Sequence, residues 1–168
     1  LFGEKLRTEG PIPVDDVISI LRHGEEVSTK RLSDFVVEQF YPVELLRNIT
    51  LVDTPGTNSI VQRHQEITED YIPRADLVLF VTSIDRPLSE SERKFLEYIR
   101  EWGKKVVFVL NKIDTKSDEE ILQVVDYLRA NVRTIFGFDA VIFPVSTKTL
   151  ARFDALEDYI FRVLSEKE

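Results

Sequence analysis

Val106-Val107-Phe108-Val109-Leu110-Asn111-Lys112-Ile113-Asp114 joins an unbroken apolar run directly to a polar tetrad. A short run that is apolar on both faces of an extended chain predicts a strand buried in a parallel sheet, and the tetrad then falls at its carboxyl end. Asn and Asp are common in post-strand turns. An Asn-Lys-x-Asp tetrad, however, arises by chance in only about one chain of this length in fifty, so it carries more information than a turn.

The same pattern extends in both directions. Apolar runs Leu77 to Val81 and Val141 to Val145 flank the central one, and segments with helical period, Ser89 to Trp102, Ser117 to Ile135 and Asp154 to Leu164, separate and follow them. Ser89 and Glu92, Ser117 and Glu120, and Asp154 and Glu157 each stand at the spacing of a capping box, in which a short polar side chain and an acid three residues on satisfy the first helical N–H groups. Ile121, Val124, Val125, Leu128, Val132 and Ile135 form one apolar stripe, and Leu156, Tyr159, Ile160, Val163 and Leu164 another. Upstream, Val17 to Leu21 follows a Gly10-Pro11-Ile12-Pro13 stretch that cannot be helical and reads as a strand. Phe35 to Tyr41 is read as a strand ended by Pro42, and Asn48 to Val52 as a third apolar run broken at Asp53-Thr54-Pro55-Gly56. Strands alternating with amphipathic helices predict an α/β, three-layer fold with a mostly parallel sheet and helices on both faces. Such sheets bind ligands at the carboxyl edge of their strands.

Composition narrows the function. The chain has 168 residues, a net charge of −8, no cysteine and 43% hydrophobic residues, enough for one domain with a core. Without cysteine there is no disulfide framework, thiolate metal site or cysteine nucleophile. An acidic chain lacking a Lys/Arg block argues against a broad grip on nucleic acid, and no apolar stretch approaches the ~20 residues of a membrane-spanning helix. His23 and His64 have no companion pattern of ligands and read as surface residues. Phe95, Trp102, Phe108 and Phe161 stand at core-facing spacings and read as packing.

Three strand ends share the predicted edge: Asp53-Thr54-Pro55-Gly56, Asn111-Lys112-Ile113-Asp114 and Pro144-Val145-Ser146-Thr147-Lys148. Guanine presents N1–H and its exocyclic amine as adjacent donors, and one carboxylate, Asp114, accepts both; adenine would turn a lone pair toward it. Asn111 suits the O6 and N7 side of the ring or braces neighbouring loops, and the Lys112 stem lies flat over the base. Ser146, Thr147 and Lys148 close the pocket, with the Ser146 backbone N–H directed at O6. At the other end Asp53 emerges where a Mg²⁺ shell would lie, and Gly56 lets a backbone N–H approach a terminal phosphate.

The order Asp53-Thr54-Pro55-Gly56, Asn111-Lys112-Ile113-Asp114, Val145-Ser146-Thr147-Lys148 resembles the P-loop GTPases. The string from Tyr41 to Asn58, with Pro73 to Val81 and Arg86 to Glu92, is similar to the dynamin-like branch, including bacterial dynamin-like and chloroplast Fuzzy-onions-like proteins. The resemblance implies GTP/GDP and Mg²⁺ as ligands, with Asp53, Gly56 and Thr57 on the hydrolytic side and Asp53 and Asp15 near the metal. It also implies a full protein that hydrolyses GTP and remodels membranes, is a homodimer through its nucleotide face, and meets lipid through regions outside this chain. The matching location is cytoplasmic or peripheral to a membrane, an organelle stroma included. Nucleic acid is not an expected partner.

Three departures accompany the resemblance. The family's Gly-rich phosphate loop is absent, so residues 1–168 are read as a single, N-terminally truncated GTPase domain lacking the first strand and the phosphate loop. That strand belongs mid-sheet, between the strand ending at Asp53 and the one at Leu77 to Val81, so the isolated polypeptide is expected to be marginal and to bind nucleotide poorly. Where the family carries a magnesium-binding Thr after a Pro, this chain reads Pro13-Val14-Asp15-Asp16, and Asp15 would repel a terminal phosphate. Thr57 stands where many small GTPases place a water-orienting Gln, which in dynamin-like proteins is a task of the phosphate loop. The same residues also fit two other readings: a nucleotide-dead interaction module, and a GTPase of ribosome assembly or RNA modification.

Overall fold

The computed structural model describes residues 17–55 and 67–166. Its contacts divide the chain into two units, Leu1–Ile67 and Thr68–Glu168, and its strands fall into two sheets over the same division, between Asp53 and Val78.

In the first unit, β-branched and aromatic residues form β1 (Ile18–His23) and β3 (Val36–Tyr41), which pair in parallel with Ile18 opposite Val36. Pro42 ends β3 as expected, because it can donate no ladder hydrogen bond. β4 (Leu51–Asp53) runs antiparallel to β1, with Asp53 opposite Ser19. β2 (Ser28–Arg31) runs antiparallel to β3, giving the order β2-β3-β1-β4. A 3₁₀ turn at Glu44–Arg47 drops Leu46 onto Leu21 and Tyr41, and Val43, Ile49 and Leu51 pack around them.

In the second unit β5 (Val78–Ser83), β6 (Val106–Asn111) and β7 (Val141–Pro144) form a wholly parallel sheet in the order β5-β6-β7. β6 is central, and Val106 through Leu110 are all buried. Three helices cover this sheet: α1 (Glu90–Glu101), α2 (Asp118–Phe136) and α3 (Phe153–Ser165). Leu156 and Ile160 of α3 pack on Val107, Val109 and Val145. On the other face Phe108 meets Phe80 at 5.6 Å and Phe136 of α2 at 6.5 Å between ring centroids. α1 lies against α2 through Arg93 to Asn131 Oδ1 (2.6 Å) and Arg100 to the Ile135 carbonyl (3.1 Å). The three layers are therefore present within this unit, and three of the molecule's five described ladders are parallel.

Two of the three expected capping boxes form, at Ser89/Glu92 and Ser117/Glu120. The Ser117 backbone N–H holds the Glu120 carboxyl below its ordinary range. Asp154 caps nothing: α3 starts one residue earlier, after Arg152 in a left-handed conformation with φ 61° and no side-chain cap. Trp102 and Phe161, expected in the core, are 44% and 51% exposed, whereas Phe108 is wholly buried. Trp102 sits just past the end of α1. Phe161 stands between Ile160 and Val163, which take the inward positions of α3.

Gly24 ends the β1 register by donating to the Tyr41 carbonyl at 3.0 Å, and a Cβ placed on it would lie 2.7 Å from Phe40 Cβ. Because that neighbour is the root of a side chain on β3, it cannot swing aside. Gly24→Ala is therefore expected to destabilise the protein by about 1–3 kcal/mol, read as a lowered urea midpoint; an unchanged midpoint would contradict the packing described.

Candidate functional site

Parallel pairing places Leu110 opposite Pro144, so the chains leaving β6 and β7 emerge side by side. Two backbone bonds continue the pairing beyond the strands: Val145 N–H to the Leu110 carbonyl (2.8 Å) and Ile113 N–H to the Val145 carbonyl (3.3 Å). Between them Lys112 adopts φ 69°, ψ 31°. A left-handed Lys costs roughly 1–2 kcal/mol. Buried Ile113, the Lys112 N–H bond to Asn111 Oδ1 (2.8 Å) and the Thr115 hydroxyl bond to the Lys112 carbonyl (2.9 Å) hold it there.

That kink brings Asn111 and Asp114 to the 146–149 segment. Asn111 Oδ1 also accepts from Thr147 N–H at 3.1 Å, and Asn111 Nδ2 donates to Thr147 Oγ1 at 3.2 Å. Ser146, fully buried, donates its hydroxyl to Asp114 Oδ1 at 2.6 Å and accepts from Thr149 N–H at 3.2 Å. The Ser146 bond holds the Asp114 carboxyl below its ordinary range; partial desolvation opposes this, and the Lys148 charge adds to it. Asp114 is thus an ionised, exposed acceptor. With about four lone-pair sites on a carboxylate, the Ser146 bond leaves capacity for two ligand N–H groups.

Asn111, Lys112, Asp114, Ser146 and Thr147 are gathered at one edge as the spacing requires, and Lys148 acts on Asp114 through its charge. One assignment is corrected. The Ser146 backbone N–H is engaged by the Ala151 carbonyl at 3.2 Å in an isolated bridge, so it is unavailable to O6, and Ser146 acts through its hydroxyl on Asp114 instead. Two ion pairs that no motif announced tie the neighbouring loops, Arg152 to Asp118 (3.1 Å) and Lys116 to Asp85 (3.7 Å). Asp53 closes β4 in the first unit. Asp15, Gly56, Thr57 and His64 lie outside the described residues. Among the described residues no group of three or more His, Cys, Asp or Glu side chains could hold a metal ion by itself, and no helix is long and apolar enough to cross a membrane.

The edge therefore presents an ionised double acceptor beside an oriented amide, the complement of a purine with two adjacent donors. The model of the Dynamin family matches residues 1–113. This chain belongs to the dynamin family. A probable transmembrane GTPase FZO-like, chloroplastic, of Arabidopsis thaliana is 39% identical over 156 residues, covering 89% of this chain and 17% of the relative. Dynamin-like protein A of Bacillus subtilis is 32% identical over 111 residues, covering 61% of this chain and 9% of the relative. Among solved structures, a member of an oligomerised bacterial dynamin pair superposes with TM-score 0.75 at 16% identity, covering 94% of this chain and 34% of that one. The fold is that of the P-loop GTPases, and the chain carries dynamin-family GTPase domain sequence. It spans well under two thirds of the length of each of these relatives.

Replacing the hydroxyl that depresses Asp114 should release it. In Ser146→Ala the Asp114 pKa is expected to rise toward the ordinary carboxylate range, followed by carbon-detected NMR titration of the side-chain carboxyl. Since the folded-state value lies below the unfolded one, the stability contributed by this bond is present above the unfolded pKa and is lost as pH falls through the folded pKa. An Asp114 titration identical in wild type and variant would refute the role given to Ser146.

Proposed function

We propose that this chain reads the guanine base within a GTP-binding and GTP-hydrolysing domain of a dynamin-like membrane-remodelling protein. The observation that carries the reading is the ionised Asp114 carboxylate, held by Ser146 at 2.6 Å and set beside an Asn111 amide fixed by Thr147. A carboxylate in that position accepts N1–H and the 2-amino group of guanine together and repels the lone pair at N1 of adenine. The exposed stem of Lys112, lifted by its left-handed backbone, is the proposed cover for the base plane.

The phosphate side of the reading rests on sequence position. Mg²⁺ takes one or two protein carboxylates and fills its octahedron with phosphate oxygens and water, so a carboxylate at a strand end, Asp53, fits the ion's habit. Bound there, the ion would supply charge neutralisation at the phosphate oxygens. Asp53, Gly56 and Thr57 are the proposed residues of the hydrolytic side, with Asp15 as a second metal-facing carboxylate. Homodimerisation through the nucleotide face and lipid contact through the rest of the full protein complete the proposal, as does a cytoplasmic or membrane-peripheral location. The names carried by the relatives, a transmembrane GTPase and dynamin-like proteins, support this direction. A net charge of −8 weighs against nucleic acid as the partner.

Asp114→Asn tests the base assignment, because an Asn amide offers one acceptor and one donor and so matches the N1–H and 2-oxo group of xanthine. In the full-length protein this variant should shift preference from GTP toward xanthosine triphosphate by about a hundredfold, measured by competition for a fluorescent nucleotide. An unchanged preference for GTP would overturn the assignment.

A further inference from the structure

The carboxyl end of β1 and the chain entering β4 enclose a cavity of about 290 Å³, lined by Arg22, His23 and residues 46–50. Antiparallel pairing sets Leu21 opposite Leu51, so Arg22 and His23 leave the sheet beside Thr50 and Ile49. Leu46, buried against Leu21 and Tyr41, fixes the wall made by the 3₁₀ turn and Asn48. Asp53 ends β4 three residues after Thr50, roughly 10 Å along an extended chain. The cavity and the proposed metal-facing carboxylate therefore stand at opposite ends of that strand.

The polar side chains of the lining are of one kind. In a chain of net charge −8, two guanidinium groups, an imidazole and an amide meet here, and none of the lining residues is acidic. Each guanidinium is oriented through its Nε. Arg22 Nε lies 2.7 Å from Glu38 Oε1, with Nη1 3.4 Å from Thr50 Oγ1, and Arg47 Nε donates to Glu44 Oε2 at 2.9 Å. A guanidinium engaged in this way keeps terminal nitrogens of its five-donor fork for a ligand. Among the described residues, the His23 ring and the Asn48 side-chain amide have no hydrogen-bond partner. A carboxylate has two oxygens and is satisfied by one guanidinium fork. A phosphate monoester has three terminal oxygens, enough to engage two guanidinium groups together with an amide or imidazole N–H.

We propose that this cavity binds a phosphate monoester, with Arg22 and Arg47 as its charged ligands and Asn48 and His23 completing the donor set. Glu38 and Glu44 offset part of the positive charge and hold the two forks in place, so recognition rests on fork geometry more than on net field. All of these residues belong to the first unit, and none takes part in reading guanine.

Calorimetric titration of the full-length protein with glycerol 3-phosphate tests the assignment, in excess GDP so that the nucleotide's own phosphate positions are filled. Acetate is expected to bind about tenfold or more weakly than glycerol 3-phosphate. Arg47→Gln should weaken glycerol 3-phosphate by about tenfold, and Arg47→Lys by nearly as much, since an ammonium keeps the charge and loses the fork. Arg47 is exposed and its pair with Glu44 is a surface contact, so both variants should keep the wild-type urea midpoint. Asn48→Ala provides a second, independent loss of affinity. Phosphatidylcholine vesicles with and without phosphatidic acid separate the sources of the phosphate: vesicle binding that needs phosphatidic acid and is lost in Arg47→Gln assigns it to a lipid headgroup, and loss confined to glycerol 3-phosphate assigns it to a soluble ligand. Binding of neither phosphate, equal affinities for glycerol 3-phosphate and acetate, or binding of both phosphates unchanged in Arg47→Gln overturns the proposal.

Discussion

Parallel pairing of β6 with β7 sets Leu110 opposite Pro144, and the edge that gathers Asn111, Asp114, Ser146 and Thr147 depends on that register. A slip of one residue would turn every side chain of the strand to the opposite face, forcing Phe108 into the space that Val107 and Val109 fill against α3 and leaving its contacts with Phe80 and Phe136 unmade. Burial of such side chains contributes roughly 1.5–3 kcal/mol each, so the core of the second unit enforces the alignment. Once it is enforced, Val145 and Ile113 extend the pairing by two backbone bonds, and Ser146 meets Asp114 without further adjustment.

The electrostatics follow from the same geometry. A buried hydroxyl would be costly without a partner. Ser146 resolves this by donating to Asp114 and accepting from Thr149, which joins the carboxylate to the loop that follows β7. Asn111 ties the same loop from the other side, using both ends of its amide on Thr147. The strained backbone at Lys112 is held by neighbours on both sides, so the site stores local strain in a frame that does not relax it. The result is a connected set of hydrogen-bonded side chains, Asn111, Asp114, Ser146 and Thr147, at the ends of two strands.

Much of this was legible in the amino-acid order, for identifiable reasons. β6 declared itself because it is apolar on both faces, and the boxes at Ser89 and Ser117 because a serine and an acid three residues on satisfy each other's neighbouring backbone N–H groups. β2 was not legible: Ser28–Arg31 is exposed throughout and has no apolar alternation to betray a strand at a sheet edge. The start of α3 departs from the capping signal at Asp154 because Arg152, in a left-handed conformation and bonded to Asp118, sets the turn one residue before the helix begins. Spacing correctly collected Asn111, Asp114, Ser146 and Thr147, yet it could not say which Ser146 atom serves the site, since amide occupancy is decided by the bridge to Ala151. Trp102 and Phe161 show the converse, where aromatic identity suggested burial that helix position denies.

The central claim is that Asp114 accepts two hydrogen bonds from one base. Inosine triphosphate lacks only the 2-amino group of GTP, so it keeps one of those bonds and loses the other. In direct competition on the full-length protein, inosine triphosphate should bind about tenfold or more weakly than GTP, with ATP weaker still. Equal affinities for GTP and inosine triphosphate, or an ATP affinity matching either, would contradict the account.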